Sequence, residues 1–193
     1  RAFIVYNFED SLTIVDGFTI TGGGSGIGRS TAIKFSKNNY KTIIIGRRES
    51  ELKKTIQMCG DSNNVSYIVC DIGNDIEISK LKKDIKTKFG DISILINNAG
   101  ASSSVRSIAH IPVDQWENVL NINLQAVYRL CQEFLPDMIE KKKGTIITVS
   151  SMAALNPGLL GGAAYSAAKA GVTNLMGDIN NLLWKIIQQT KEW

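Results

Sequence analysis

Residues 18–36 read FTITGGGSGIGRSTAIKFS. Phe18–Thr21 is a short run of strand formers, Gly22–Gly28 places five glycines in seven positions, and a helical pattern continues to Asn38. Strand, glycine turn and helix in that order let backbone N–H groups approach a phosphate, and the helix N-terminus adds partial positive charge at the same point. One or two glycines would serve a tight turn, whereas five argue for close approach of a ligand to the backbone. The spacing is GxxxGxG at Gly22, Gly26 and Gly28; the variant GxGxxG fails because Arg29 stands where its third glycine would fall. From Gly23 to Ser30 the chain also spells GxxxxGRS, one residue from a nucleoside-triphosphatase loop. That loop needs a compact lysine charge on the β and γ phosphates, and Arg29 is no equal substitute. A dinucleotide phosphate cradle is the preferred interpretation.

The alternation continues downstream. Lys41–Ile45 is a β-branched strand, Glu49–Met58 a helix, Val65–Cys70 a strand, Asp75–Phe89 a helix, and Ile92–Ile96 a strand that runs into Asn97-Asn98-Ala99-Gly100. A serine-rich loop leads to one long helix over about Asp114 to Glu140, a fifth strand at Gly144–Val149, and a last helix from Ala163. Near-continuous apolar strands separated by helices mean a parallel sheet covered on both faces. The expectation is an α/β, doubly wound, three-layer domain over residues 17–193 with strand order 3-2-1-4-5. Residues 1–16 form an extension with two apolar runs, Ala2–Tyr6 and Leu12–Val15, open between a hairpin and an ill-ordered arm.

Composition narrows the function classes. The net charge of +4 comes from scattered lysines, and the Lys141-Lys142-Lys143 run follows a helical pattern as a solvated helix end would. No aromatics interleave with the basic residues, which argues against a nucleic-acid partner. Three cysteines without CxxC spacing and a single histidine argue against a metal site and for reduced thiols in the cytoplasm. No apolar stretch is long enough to span a membrane. The chain opens on Arg1, which suggests a fragment or a trimmed product.

Two further places carry chemistry. About 20 positions past a glycine loop, a dinucleotide fold carries an acidic residue for the adenosine ribose. Here Gly46 and then Arg47 occupy that place, so a 2′-phosphate would meet a guanidinium instead of a carboxylate, favouring NADP over NAD. Arg47 and Arg48 could also be just the solvated start of a helix. In the last helix Tyr165 and Lys169 are four apart and share a face. A phenol's pKa of about 10 is too high for ready exchange near neutrality, and a neighbouring ammonium lowers it. Such pairs also occur on solvated helix faces, so the pair alone decides little.

Together these residues resemble the short-chain dehydrogenase/reductase family. TGGGSGIG at 21–28 is similar to its cofactor loop and points to Gly22, Ser25, Gly26, Ile27 and Gly28. Cys70-Asp71-Ile72 resembles the strand end whose aspartate contacts adenine. Asn97–Gly100 is the family's NNAG motif, which adds Asn98, Ala99 and Gly100. Asn121–Leu124 sits where the family keeps a helix asparagine and points to Asn123, Ile146–Ser151 resembles the strand that delivers a serine, and Tyr165-x-x-x-Lys169 resembles the catalytic pair. The resemblance implies a Rossmann-like fold, NADP (NAD possible), and a small-molecule carbonyl or alcohol substrate, 3-oxoacyl thioesters included. It implies catalytic roles for Ser151 on the carbonyl oxygen and Tyr165 on the proton. Lys169 would tune the phenol and hold the nicotinamide ribose, and Asn123 would kink its helix and place a relay water. It also implies a homodimer or homotetramer through the 114–140 helix and the Tyr/Lys helix, to which Leu120, Leu124, Val127 and Cys131 would contribute.

The sequence departs from the family in three ways. Ser151 and Tyr165 are 14 positions apart, one more than usual, which would put Met152 in the serine's place. A thioether donates no hydrogen bond, so one extra loop residue around Asn156-Pro157-Gly158 is the simpler account, with Ser150 the weaker candidate. Past about Gly177 the resemblance fades, and the chain ends without the family's sixth and seventh strands. Two functions follow: an active carbonyl reductase or alcohol dehydrogenase, or a truncated, non-catalytic dinucleotide-binding module, with a P-loop-like NTPase behind both. Ser103, Ser104 and Arg106 lie where substrate would pass, without an assigned role.

Overall fold

The computed structural model of the chain describes residues 3–7, 17–60, 63–156 and 161–190, with side chains over 17–60, 63–156 and 161–182. The strands are β1 (Phe3–Asn7), β2 (Phe18–Thr21), β3 (Thr42–Gly46), β4 (Val65–Val69), β5 (Ile94–Asn97) and β6 (Thr145–Val149). The helices are α1 (Gly26–Ser36), α2 (Glu49–Cys59), α3 (Asp75–Phe89), α4 (Val113–Leu120), α5 (Ala126–Glu140) and α6 (Ala163–Thr190). The sheet order is β1-β6-β5-β2-β3-β4. Every pairing from β6 across to β4 is parallel, so the five core strands take the expected order and the fold is a Rossmann-like doubly wound sheet. Of the N-terminal extension, β1 joins this sheet antiparallel to β6, with Phe3 opposite Val149 and Asn7 opposite Thr145. Leu12–Val15, the other run of the considered hairpin, lies outside the described residues.

Strand periodicity explains why the strands read as unbroken apolar runs. Ile43, Ile45 and Leu95 turn to one face and meet Ile78 and Leu81 of α3, Leu130 and Phe134 of α5, and Val172 and Met176 of α6. Ile20, Ile44, Ile94 and Ile96 turn to the other face and meet Ala32 of α1 and Leu52 of α2. Successive side chains alternate, and both sides are covered. Each such side chain, fully buried, contributes about 1.5–3 kcal/mol. No described helix is long and apolar enough to cross a membrane.

Two expectations are corrected. The 114–140 helix is not continuous: a π-helical turn, Asn121–Gln125, separates α4 from α5. The buried Asn123 amide donates to Val119 O at 2.8 Å and to Ala101 O at 2.7 Å. A side chain that engages a carbonyl four residues back competes with the backbone ladder there, which a widened turn accommodates. The apolar stripe assigned to a subunit contact is used within the chain. Val127 and Cys131 are buried in the main core, and Leu120 and Leu124 pack beside Val119, Ala164 and Ala168.

Candidate active site

A cleft of about 880 Å³ opens at the carboxyl ends of β2, β5 and β6, the place where open α/β sheets receive ligands. One end is lined by Gly22, Ser25, Gly26 and Ile27, the middle by Asn98, Ala99 and Gly100, and the far end by Ser150, Ser151, Tyr165 and Lys169. Ten of the fifteen residues assigned a site role from sequence therefore share one wall, with the weaker candidate Ser150 beside them. Gly28, Arg47, Asp71, Ile72 and Asn123 stand outside that lining, each for a different reason.

The glycine loop is shaped by what its residues lack. Gly22 takes φ +69°, and a Cβ on Gly28 would stand 2.6 Å from Asn98 Nδ2 and overlap the Gly22 carbonyl. Gly28 thus supports the loop from beneath. Thr21 Oγ1 accepts from the Asn98 and Ala99 amides at 3.0 Å each, and Asn98 Nδ2 donates to Thr21 O at 2.9 Å, strapping the ends of β2 and β5 together. Thr55 Oγ1 donates to Gly23 O at 3.0 Å, and Arg29 donates to Gly24 O, to Thr55 Oγ1 at 2.9 Å and to Glu51 Oε2 at 2.6 Å. Two loop carbonyls are thereby held from α1 and α2. In the sequence Arg29 reads only as a failed lysine; its α2 partners, Glu51 and Thr55, lie 22 and 26 residues away, and no local signal exposes them. The result is a glycine-rich cradle at a helix N-terminus, which suits a dinucleotide diphosphate.

Beside the loop, Gly24, Ser25, Gly46, Arg47, Arg48, Glu51 and Leu52 line a recess of about 130 Å³. Arg47 lies 3.8 Å from Asp71 Oδ2, with both side chains well exposed, an ion pair too loose and solvated to hold the guanidinium in place. Asp71 Oδ1 accepts from Gly73 N at 2.9 Å, shaping the turn after β4, and Ile72 is buried behind it.

At the far end α6 begins at Ala163 and carries Tyr165 and Lys169 on one face, the Lys169 Nζ 5.7 Å from the Tyr165 ring centre. Gly161 leaves room for that ring: a Cβ there would collide with it. Lys169 is only 5% exposed and donates to Val149 O at 2.8 Å, and burial pulls its pKa down to about 8. The two serines after β6 differ in what their protons do. Thr173 Oγ1 donates to Lys169 O at 2.8 Å, so the 2.7 Å contact between Ser150 and Thr173 takes up the Ser150 proton. Ser151 Oγ accepts from Ala153 N at 3.2 Å and keeps its own proton for a ligand. Met152 heads a single 3₁₀ turn that Ser151 caps. Pro157 and Gly158, where the extra residue was expected, lie outside the described residues. Behind this end Asn123 is fully buried, and its Oδ1 has no partner among the described residues. Ser103 and Ser104 are both held by Gln115, whereas Arg106 lines the cleft.

A doubly wound sheet with a glycine cradle at one end of a cleft and a Tyr/Lys helix at the other defines a dinucleotide-dependent oxidoreductase architecture. The family model for short chain dehydrogenase matches residues 18–185, and the chain belongs to that family. The match runs beyond Gly177, where the motifs had given out. The chain is 28% identical over 174 residues to the 3beta-hydroxysteroid dehydrogenase of Mediterraneibacter gnavus, covering 90% of this chain and 60% of that protein. It is 31% identical over 153 residues to the NADP-dependent 3-hydroxy acid dehydrogenase of Salmonella typhi, covering 79% and 60%. An uncharacterized oxidoreductase of Saccharomyces cerevisiae is 34% identical over 154 residues, covering 79% and 48%. The chain thus spans between 48% and 60% of the length of these relatives. Among solved structures, a metagenomic short-chain oxidoreductase in complex with NADP superposes with TM-score 0.82 at 27% identity, covering 88% of this chain and 77% of that one. Actinorhodin polyketide ketoreductase with NADPH gives 0.79 at 26%, covering 86% and 64%.

Proposed function

We propose that the chain binds NADP(H) along the cleft and interconverts a small carbonyl compound and its alcohol, with Tyr165 moving the proton. The observation that carries this is the single continuous cleft joining the glycine-rich cradle to Ser151, Tyr165 and Lys169. When bound, the dinucleotide supplies the hydride that, with one proton from the protein, turns the carbonyl into the alcohol. Ser151 donates its free hydroxyl proton to the carbonyl oxygen, where negative charge develops. Tyr165 passes its phenolic proton to the same oxygen, and the Lys169 ammonium offsets the charge left on the phenol. The unpaired Asn123 Oδ1 suits a bound water that returns a proton toward Lys169. Arg47 in its recess suits a 2′-phosphate, and Asp71 and Ile72 suit the adenine. NADP is named in two of the similar proteins, which supports the cofactor.

The proposal extends to a homodimer or homotetramer, for which Tyr128 on α5 and Leu182 on α6 are exposed apolar contacts. It extends also to the cytoplasm, which suits three buried cysteine thiols. The test is NADPH oxidation by this chain with 3-oxoacyl thioesters, small ketones and steroids, run beside an equilibrium NADPH titration. Turnover of at least one carbonyl class is expected. Tight NADPH binding with no turnover of any class would leave a dinucleotide-binding module in its place.

A further inference from the structure

Arg106 lies on the loop between β5 and α4 and lines the cleft at the Tyr165 end. Among the described lining residues the only cations are Arg106 and Lys169, and no carboxylate is present. Lys169 is buried and bonded to Val149 O, whereas the Arg106 side chain is exposed and makes no ion pair among the described residues. Its backbone is nevertheless fixed. Ala163 N donates to Arg106 O at 3.2 Å, and Gly162, at φ +77°, brings the loop so close that a Cβ there would stand 2.8 Å from Arg106 Cα. Ahead of it, Ser104 N and Oγ both donate to Gln115 Oε1, clamping the loop to α4. Arg106 therefore stands on a fixed backbone at a cleft whose described lining holds no counter-charge.

We infer that Arg106 anchors a carboxylate of the substrate, so that the carbonyl compound is an oxo acid and its alcohol a hydroxy acid. The inference rests on the reductase function proposed above. The planar guanidinium matches a carboxylate with two parallel N–H···O bonds, a fit that a point charge lacks. Arg106 O is bonded to Ala163, the first residue of α6, two residues before Tyr165 and about 3 Å along the helix axis. The body of the substrate is apolar, because Met152 on the cleft wall presents an exposed apolar side chain.

The experiment compares 3-oxohexanoate with its ethyl ester, and dihydroxyacetone phosphate with dihydroxyacetone, on the parent chain and on Arg106→Gln and Arg106→Lys. It reads kcat/KM and, in parallel, binding of each compound to the protein–NADPH complex by nucleotide fluorescence. The parent should favour the acid over the ester by roughly 10- to 100-fold, the usual worth of a charge-assisted pair. Arg106→Gln should erase that preference without changing the ester, Arg106→Lys should restore part of it, and NADPH affinity should stay constant throughout. Equal use of acid and ester by the parent, or equal losses for both in Arg106→Gln, overturns the anchor. So does failure of the acid to bind the NADPH complex. A larger preference for the phosphate than for the carboxylate overturns the oxo-acid assignment. Loss of proton transfer is read separately, through Tyr165→Phe, so failure of the reductase proposal and failure of the anchor leave different signatures.

Discussion

At the glycine-loop end the cleft is walled by one short stretch of chain, Gly22 and Ser25 to Ile27, and the side chains that hold the loop, Thr21, Arg29, Thr55 and Asn98, are occupied with one another and with loop carbonyls. At the other end the wall is side chains drawn from separate elements: Ser151 after β6, Tyr165 and Lys169 on α6, with Asn123 behind them in the π turn. Under the proposed function, the shape and fixed dipoles of the first end would set how tightly a phosphate is held. The protons and buried charge of the second would set how fast a bond changes. Substitutions at the two ends should therefore fail in different observables.

Tyr165→Phe should give the largest effect, about 10²- to 10⁴-fold in kcat, the usual worth of general acid–base catalysis. NADPH affinity should stay within about twofold of the parent by the same argument. Near-parental turnover in steady-state assays with any accepted carbonyl would break the division of labour.

The Lys169 pKa, lowered by burial from 10.5 to about 8, predicts a signature in stability without cofactor. Between those values the unfolded chain binds more protons than the folded one, so stability rises with pH across this window. Below about pH 8 the full cost of the buried ammonium is present. Relative to Lys169→Met, the parent should gain up to roughly 3 kcal/mol between pH 8 and 10.5. Denaturant unfolding at a series of pH values measures this, and parallel curves for the two proteins would contradict it.

Gly28→Ala attacks the other end. Its Cβ meets the Gly22 carbonyl, which is backbone and cannot swing aside. With overpacking costs of about 1–3 kcal/mol, NADPH should bind roughly 10- to 100-fold more weakly, with kcat at saturating cofactor little changed. Calorimetric titration together with saturation kinetics separates the two. Arg47→Asp should be subtler, moving the ratio of NADP to NAD dissociation constants roughly 10-fold or more toward NAD by loss of a charge-assisted contact. Equal dissociation constants in the parent would remove Arg47 from the cofactor. Smallest is Ser150→Ala, which loses the Thr173 contact and about 1 kcal/mol of stability while kcat stays near parental. Ser151→Ala should lower kcat and spare NADPH binding.

What was legible in the sequence was what is local. The strand–loop–helix at 18–36 depends on neighbours in the chain, and the alternation of apolar strands with helices follows from burial on both faces, so the parallel order could be anticipated. Antiparallel pairing of Phe3–Asn7 with Thr145–Val149 joins segments at opposite ends of the chain, and nothing in either run names the other. The 114–140 periodicity looked continuous because spacing does not display Asn123 reaching back to Val119 and across to Ala101; only the family resemblance, which implied a kink at Asn123, pointed to a break there. Leu120, Leu124, Val127 and Cys131 were rightly seen as one apolar stripe, but a stripe does not say whether its partner lies in the same chain. Between Ser150 and Ser151 residue type offers no distinction, and the contact of Ser150 with Thr173, which supports the proposal of Ser151, comes from a helix away.

The widened turn between Leu120 and Ala126 has a bearing on which changes the chain can absorb. A regular helix advances about 100° per residue, so the extra residue of a π turn works as a phase shift between the segments on either side. It lets Val119 on α4 face Ala164 and Ala168 while Leu130 and Phe134 on α5 face α3. Deleting a single residue from 121–125 would leave the apolar composition almost untouched, yet it would rotate one segment against the other and carry Asn123 away from Ala101. This is a stretch of helix where count matters as well as kind: away from Asn123, swaps of similar side chains should be absorbed, and a one-residue deletion should not.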